Sequence, residues 1–141
     1  MAFFNKTPAE KVISKAIQYT AKENIQGLMG LISPDFKTED GMGYKDVSEL
    51  LTQIFKEFDD IKVIVDKQEE KIVEKHKYVT VIIYFKVIAS FNGRRGYVAG
   101  GPTNTEQMNI DFINENSRWS VRSITGYRIN KDVLKDLDTF L

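Results

Sequence analysis

The spacing of apolar residues changes once along this 141-residue chain, near residue 60. Before that point they recur every three or four positions, as in 47–58, and after it they alternate with their neighbours, as in 79–91. The first spacing is typical of amphipathic helices, and the second is typical of strands with one buried face. The sequence therefore predicts an α+β domain in which N-terminal helices pack on a curved antiparallel sheet.

Three helical segments are predicted before the change in spacing. Residues 7–10 have the pattern of a capping box with proline at the first helical position, so the first helix begins there. Asn24 is the predicted cap of a second, short helix that ends at Pro34. A glycine-containing loop over 37–44 then separates this helix from a third, which begins near 46–48.

Four strands are predicted after the change in spacing, connected as an antiparallel meander. Polar turns are predicted at 74–77 and 114–117, and a short terminal helix is predicted over 130–141. The segment 92–104 holds four of the nine glycines, which favours a turn-rich connection. The predicted strands cover 61–73, 79–91, 106–114 and 119–126.

Length and charge limit the organisation of the chain and its partners. The length predicts one domain over 1–141, with its core at about 8–127. Lys plus Arg and Asp plus Glu both number 20, so the net charge offers no general attraction for nucleic acid or an anionic membrane. The start of the sequence has no recognisable leader, which favours a cytoplasmic protein; the alternative is an exported protein whose signal sequence has been removed.

Residue types also argue against metal and thiol chemistry. The chain has no cysteine and a single histidine, His76, so neither a thiolate site nor a site with several histidines can form. His76 lies in the predicted turn at 74–77, where we expect it to be a surface residue. We predict no metal and no cofactor.

Several segments resemble the nuclear transport factor 2-like superfamily, which includes ketosteroid isomerases, polyketide cyclases of the SnoaL type and scytalone dehydratase. The resemblance covers about residues 8–127 and is carried by residue-class patterns at 24–29, 33–36, 47–58 and 112–121. It implies a cystatin-like cone with an apolar pocket between helices and sheet. It also implies a homodimer that forms through the outer face of the sheet.

The resemblance to ketosteroid isomerases implies a general base. That chemistry needs a carboxylate in the pocket and two donors for the enolate oxygen. Asp40 matches the position of the base, whereas the donor positions fall on Ala16 and near Asn109, which differ from the motif in residue type. Tyr19 lies three residues after Ala16 and is the predicted partner of Asp40. The alternative for Asp40 is a solvated acidic loop.

Aromatic and amide side chains are the predicted ligand contacts. An aromatic body packs while a polar tip selects a ligand, so tyrosines near a pocket are candidates, although ordinary packing at the edge of the core is the alternative. Asn109 also shares a strand face with Asp111, and a cross-strand polar cluster with Arg122 on the outer face is the alternative for these residues. The predicted ligand-binding residues are Tyr44, Tyr84, Phe85, Asn109 and Phe112.

Three functions remain open from the sequence. The first is a binding domain for a small apolar molecule. The second is an enzyme of the isomerase, cyclase or dehydratase type with Asp40 as its base. The third is a protein–protein interaction module that uses its sheet face or its terminal helix. Convergence of Asp40 and a tyrosine hydroxyl on one cavity would favour the enzyme.

Overall fold

The computed structural model describes residues 6–127, and the predicted helix over 130–141 lies outside them. The described part of the chain forms three helices and six strands. The helices precede the strands, as the sequence predicts, except that one strand lies between the second and third helices. The helices are α1 (Pro8–Ala21), α2 (Ile25–Met29) and α3 (Tyr44–Glu57). The strands are β1 (Ile32–Thr38), β2 (Asp59–Glu74), β3 (Tyr78–Phe91), β4 (Arg94–Ala99), β5 (Glu106–Glu115) and β6 (Arg118–Thr125).

The helix starts follow from their capping groups. The Thr7 hydroxyl accepts a hydrogen bond from the Glu10 amide at 3.2 Å, and the Glu10 carboxylate accepts from the Thr7 amide, which confirms the predicted capping box. The Asn24 side chain caps α2 as predicted. The third helix begins slightly earlier than predicted, with Gly43 as its N-cap and the Asp46 carboxylate accepting from the Gly43 amide at 2.9 Å.

The six strands form one mixed sheet in the order β1-β6-β5-β3-β2, with β4 also paired to β3. The pairing of β1 with β6 is parallel, and the other pairs are antiparallel. The prediction of a four-stranded antiparallel sheet is therefore wrong in both strand number and direction. The predicted meander of β2, β3, β5 and β6 is present within the larger sheet.

The sequence hides β1 because Pro34 favours the end of a helix. Proline is nevertheless compatible with an edge strand, where its missing amide hydrogen breaks no ladder. The register between β1 and β6 shifts between Ile32 and Lys37, the interval that contains Pro34. Ser33 and Phe36 are 1% and 2% exposed, so burial of these two side chains fixes the strand.

The strand β4 is hidden for a different reason. Asn92 and Gly93 have φ values of +49° and +78°, which are the positive values that a two-residue hairpin turn requires. The chain therefore reverses directly from β3 into β4. Gly96, within β4, interrupts the alternation that would have revealed this strand.

The main core lies between α1 and one face of the sheet. Alternate residues of β3, from Val79 to Phe85, are buried as the sequence predicts, together with Ile110 and Phe112 of β5. A smaller cluster joins α2, β1 and α3 through Met29, Phe36 and Val47. The helices therefore cover one face of a curved sheet. None of the helices in residues 6–127 is long and apolar enough to cross a membrane.

Candidate functional site

One cleft of about 400 Å³ lies where the loop after β1 meets the end of β6. Glu39 and Asp40 line it from the loop, and Gly126 and Tyr127 line it from the chain that follows β6. The Gly126 amide donates a hydrogen bond to Oε1 of Glu39, which joins the two segments. We refer to this site as the Asp40–Tyr127 cleft.

Hydrogen bonds within the loop hold Asp40 in place. The Thr38 hydroxyl donates to Oδ1 of Asp40 and accepts from the Met42 amide at 3.0 Å. The Thr38 amide donates to the Met42 carbonyl at 3.0 Å, and Gly41 adopts a φ of +88° at the tip of the turn. The Asp40 side chain is exposed to solvent.

Tyr127 lines the other side of the cleft. Its half-buried ring contacts the buried Phe85 ring edge-on, with 5.4 Å between centroids and 74° between planes. Burial raises the pKa of the Tyr127 phenol above its usual 10.0, and the negative charge of Glu106 raises it further. Tyr127 is therefore a neutral hydrogen-bond donor at physiological pH.

Asn109 packs against the chain at the edge of the cleft. Gly126 has a φ of +75°, and a Cβ atom at this position would lie 3.3 Å from Nδ2 of Asn109. Both the backbone conformation and this contact favour glycine. The predicted site residues Phe85 and Asn109 thus support the cleft from behind, through Tyr127 and Gly126.

The structure places the predicted catalytic partner Tyr19 in a different cleft from Asp40. Tyr19 lines a cleft of about 520 Å³ between α1, α2 and the β5–β6 turn. The tyrosine that shares a cleft with Asp40 is Tyr127. The catalytic roles of Asp40 and Tyr19 stay predictions, but the described clefts do not bring these two residues together.

The other predicted ligand contacts are also dispersed. Tyr44 is 38% exposed, and its hydroxyl donates to the Met29 carbonyl at 3.4 Å. Tyr84 lies on the outer face of the sheet, where the Lys67 ammonium is 5.7 Å from the ring centroid. Phe112 is 1% exposed and belongs to the main core. The predicted apolar pocket between helices and sheet therefore stays a prediction.

A polar cluster does form on the outer face of the sheet. The Asp111 carboxylate accepts hydrogen bonds from the Thr80 and Ser123 hydroxyls, each at 2.6 Å. The Arg122 guanidinium stacks on the Tyr78 ring at 5.1 Å from its centroid. Asp111 therefore belongs to a cross-strand polar cluster, as the alternative interpretation predicts. Its partners in the cluster are the hydroxyls of Thr80 and Ser123, whereas the sequence suggested Arg122.

Sequence reasoning missed Tyr127 and Glu39 as site residues. A usable signal was present, since Tyr127 directly follows a glycine at the end of the last strand, where the chain must turn. His76 lies exposed in the predicted turn, with a φ of +64°. Within residues 6–127, no group of three or more metal-binding side chains comes together.

Comparison of the sequence with protein-family models and with curated proteins finds no match. Solved structures, by contrast, match over most of the chain. A protein from Novosphingobium aromaticivorans provisionally named a scytalone dehydratase has a TM-score of 0.72 and 12% identity, covering 87% of each chain. A type 2 hexachlorocyclohexane dehydrochlorinase has a TM-score of 0.69 and 9% identity, covering 85% of this chain and 84% of the other.

A third match is described by its fold. It is a nuclear transport factor 2-like protein with a cystatin-like fold from Novosphingobium aromaticivorans, with a TM-score of 0.62 and 11% identity over 90% of this chain and 86% of the other. Identities this low establish the architecture alone. The helices on one face of a curved mixed sheet give this chain a cystatin-like fold, similar to the fold of these proteins.

Proposed function

We propose that the domain binds a small organic molecule in the Asp40–Tyr127 cleft. The observation that carries this proposal is the presence of an exposed carboxylate and a neutral phenol on the walls of one cleft. The carboxylates of Glu39 and Asp40 accept hydrogen bonds, whereas Tyr127 donates one. A matching ligand therefore carries a hydroxyl or amine at one end and a carbonyl at the other.

The charge of the cleft selects among such ligands. Two adjacent carboxylates, with Glu106 near the Tyr127 phenol, disfavour an anion. We therefore propose a neutral or cationic ligand rather than an acid.

A second candidate function is acid–base catalysis in the same cleft. Asp40 would remove a proton from a carbon next to a carbonyl, and the Tyr127 phenol would donate a hydrogen bond to the oxygen that gains negative charge. The electron pair left on carbon could then expel a leaving group at the adjacent carbon, which is an elimination. Two structural neighbours bear names of eliminating enzymes, a dehydratase and a dehydrochlorinase.

The test separates binding from catalysis. A panel of neutral cyclic hydroxyketones is screened by ligand-observed NMR against the wild-type protein and against Asp40→Asn, Tyr127→Phe and Asp66→Asn. The last variant is the control, because Asp66 is exposed on β2 and does not line the cleft. Binding that weakens in both cleft variants and not in the control supports the proposal, and unchanged binding in all variants contradicts it.

Catalysis is measured on the ligands that bind. Exchange of the proton next to the carbonyl with deuterated solvent reports removal of that proton directly. Asp40→Asn should abolish this exchange even at ligand concentrations that saturate its weakened site, since an amide accepts hydrogen bonds and is not a base. Binding without exchange in the wild-type protein would leave the binding function and exclude catalysis on that ligand.

Homodimerisation through the outer sheet face stays a prediction. A dimer would have a mass of about 32 kDa, twice the 16.2 kDa of one chain. Light scattering during size-exclusion chromatography measures this mass. The substitution Ile82→Glu, on the outer face of β3, should lower it to that of a monomer if that face forms the interface.

A further inference from the structure

A second cleft has the opposite charge. It measures about 520 Å³ and lies between α1, α2 and the turn that joins β5 to β6. Three cationic side chains line it, and the lining residues from the described chain include no carboxylate. Two aromatic residues, both half-buried, form part of its wall. The charged and aromatic residues of this Trp119 cleft are Lys11, Lys15, Tyr19, Arg118 and Trp119.

The geometry of α1 places three of these residues on one side. Lys11, Lys15 and Tyr19 follow one another at intervals of four residues, so their side chains lie along one stripe of the helix. Two lysines at this spacing repel each other. Within residues 6–127, neither forms an ion pair that would offset the repulsion. An anion bound between the two lysines would offset this repulsion.

Arg118 approaches from the opposite side of the cleft. The β5–β6 turn passes through Asn116 and Ser117, both with positive φ, and brings Arg118 toward α2. There the guanidinium donates a hydrogen bond to the Gly30 carbonyl, which orients it. Glu115 is opposite Arg118 in the strand register, but it does not line the cleft. The remaining guanidinium N–H groups can bind a carboxylate.

The aromatic wall is already in position without a ligand. A Cβ atom on Gly27 would lie 2.7 Å from the Tyr19 ring, so the absence of a side chain at 27 allows the ring to pack directly on α2. Trp119 packs partly against the main core. Because both rings are held by packing, a flat ligand loses little binding energy to rearrangement of the wall.

We propose that the Trp119 cleft binds a planar aromatic carboxylate. The carboxylate lies between the two lysines of α1 and Arg118, and the aromatic ring of the ligand lies against Trp119 and Tyr19. The proposal does not depend on the function of the Asp40–Tyr127 cleft, since the two clefts share no lining residue within 6–127. The opposite charge of the two sites also assigns them different ligands.

The experiment uses Trp119 as a built-in reporter. Trp119 is the only tryptophan, so its indole N–H gives a single cross-peak in a nitrogen–proton correlation spectrum of labelled protein. The protein is titrated with 2-naphthoate and, separately, with the neutral alcohol of the same ring system, 2-naphthalenemethanol. We expect a saturable shift of the Trp119 cross-peak with 2-naphthoate and about tenfold weaker binding of the alcohol.

Variants locate the anion. Binding of 2-naphthoate to Lys11→Gln/Lys15→Gln should be about tenfold weaker, because two charged donors are lost. The matched control is Lys62→Gln/Lys71→Gln, which removes two exposed lysines of β2 and should leave binding unchanged. Asp40→Asn should also leave it unchanged, which separates this site from the Asp40–Tyr127 cleft. The other cross-peaks of each variant report whether it is folded.

Several outcomes would overturn the proposal. Equal affinity for 2-naphthoate and the alcohol would make the cleft an apolar patch without selection for charge. Equal weakening in both lysine double variants would assign the effect to net charge alone. Absence of a saturable Trp119 shift would exclude the site. A glutamate hexapeptide that shifts Trp119 at lower concentration than 2-naphthoate would assign the surface to an acidic protein segment instead.

Discussion

Replacing Gly27 with alanine tests the packing between α1 and α2. A Cβ atom at this position would lie 2.7 Å from Cδ1 and 2.8 Å from Cγ of Tyr19, and 2.9 Å from Nδ2 of Asn24. Favourable contacts between carbon atoms are about 3.5–4.0 Å long, so the Tyr19 ring must move by roughly 0.8 Å or more. Cγ is the base of the ring, and therefore rotation of the ring plane cannot relieve the contact.

The size of the effect depends on two opposing contributions. Alanine in place of glycine favours a helix by at most about 1 kcal/mol. Overpacking costs about 1–3 kcal/mol, and displacement of the Asn24 cap, whose Oδ1 accepts from the Gly27 amide at 2.9 Å, costs about 1 kcal/mol. The clash exceeds the helix preference, so Gly27→Ala should destabilise the protein by about 1–3 kcal/mol. For a chain of this length that lowers Tm by about 4–12 °C.

Urea unfolding followed by circular dichroism measures this change. Gly30→Ala is the matched control, because a Cβ atom at that end of α2 meets nothing closer than 3.4 Å, and its effect should stay within about 0.5 kcal/mol. In a Tyr19→Ala background the penalty of Gly27→Ala should fall by at least about 1 kcal/mol. A Gly27→Ala protein as stable as the wild type, or a penalty of unchanged size in the Tyr19→Ala background, would refute the packing argument.

Three further predictions concern the core, the outer face and the Asp40–Tyr127 cleft. Phe112→Ala should lower the free energy of unfolding in urea by about 3–5 kcal/mol, because Phe112 is 1% exposed. The control is Ile72→Ala at a residue that is 62% exposed, and an equal loss there would contradict the assignment of Phe112 to the core. Asp111→Ala leaves two hydroxyls without their acceptor and should cost about 1–3 kcal/mol; a double-mutant cycle with Thr80→Val should show coupling, and additivity would argue against the hydrogen bond. Tyr127 has a raised pKa, so its contribution to stability is complete below pH 10.0 and is lost as the pH rises through the folded pKa. Unfolding measured on both sides of pH 10.0 should therefore show a steeper loss for the wild type than for Tyr127→Phe, and equal slopes would show that the phenol is not desolvated.

Local signals in the sequence predict most of the secondary structure. The capping box at Thr7, the cap at Asn24 and the alternation along β3 are encoded within a few neighbouring residues, and the structure confirms all three. Pro34 shows where such signals fail. A proline ends a helix and is also compatible with an edge strand, and only the parallel pairing with β6, which joins residues almost ninety positions apart, selects the strand.

The candidate site could be predicted only in part for the same reason. Asp40 is predicted because its position matches the general base in the resemblance to ketosteroid isomerases, and the cleft that it lines does not test this role. Tyr19 is predicted because it lies three residues after Ala16 along the chain. The structure instead brings Tyr127 to Asp40, since the loop after β1 and the end of β6 are joined by a parallel strand pair that the sequence does not reveal.

Net charge conceals the chemistry of the two clefts. A chain with equal numbers of acidic and basic residues has no overall field, yet the fold gathers Glu39 and Asp40 at one cleft and Lys11, Lys15 and Arg118 at another. Exposed charges act over about a Debye length, roughly 8–10 Å at physiological salt, so a ligand experiences its cleft rather than the whole chain. The sequence argument from net charge therefore concerns long polyanions, for which it stays a prediction, and does not extend to a small carboxylate. The Lys11–Lys15–Tyr19 stripe follows from helix periodicity alone. The proposed site also requires Arg118, which is distant in sequence and lies beside this stripe only in the folded chain.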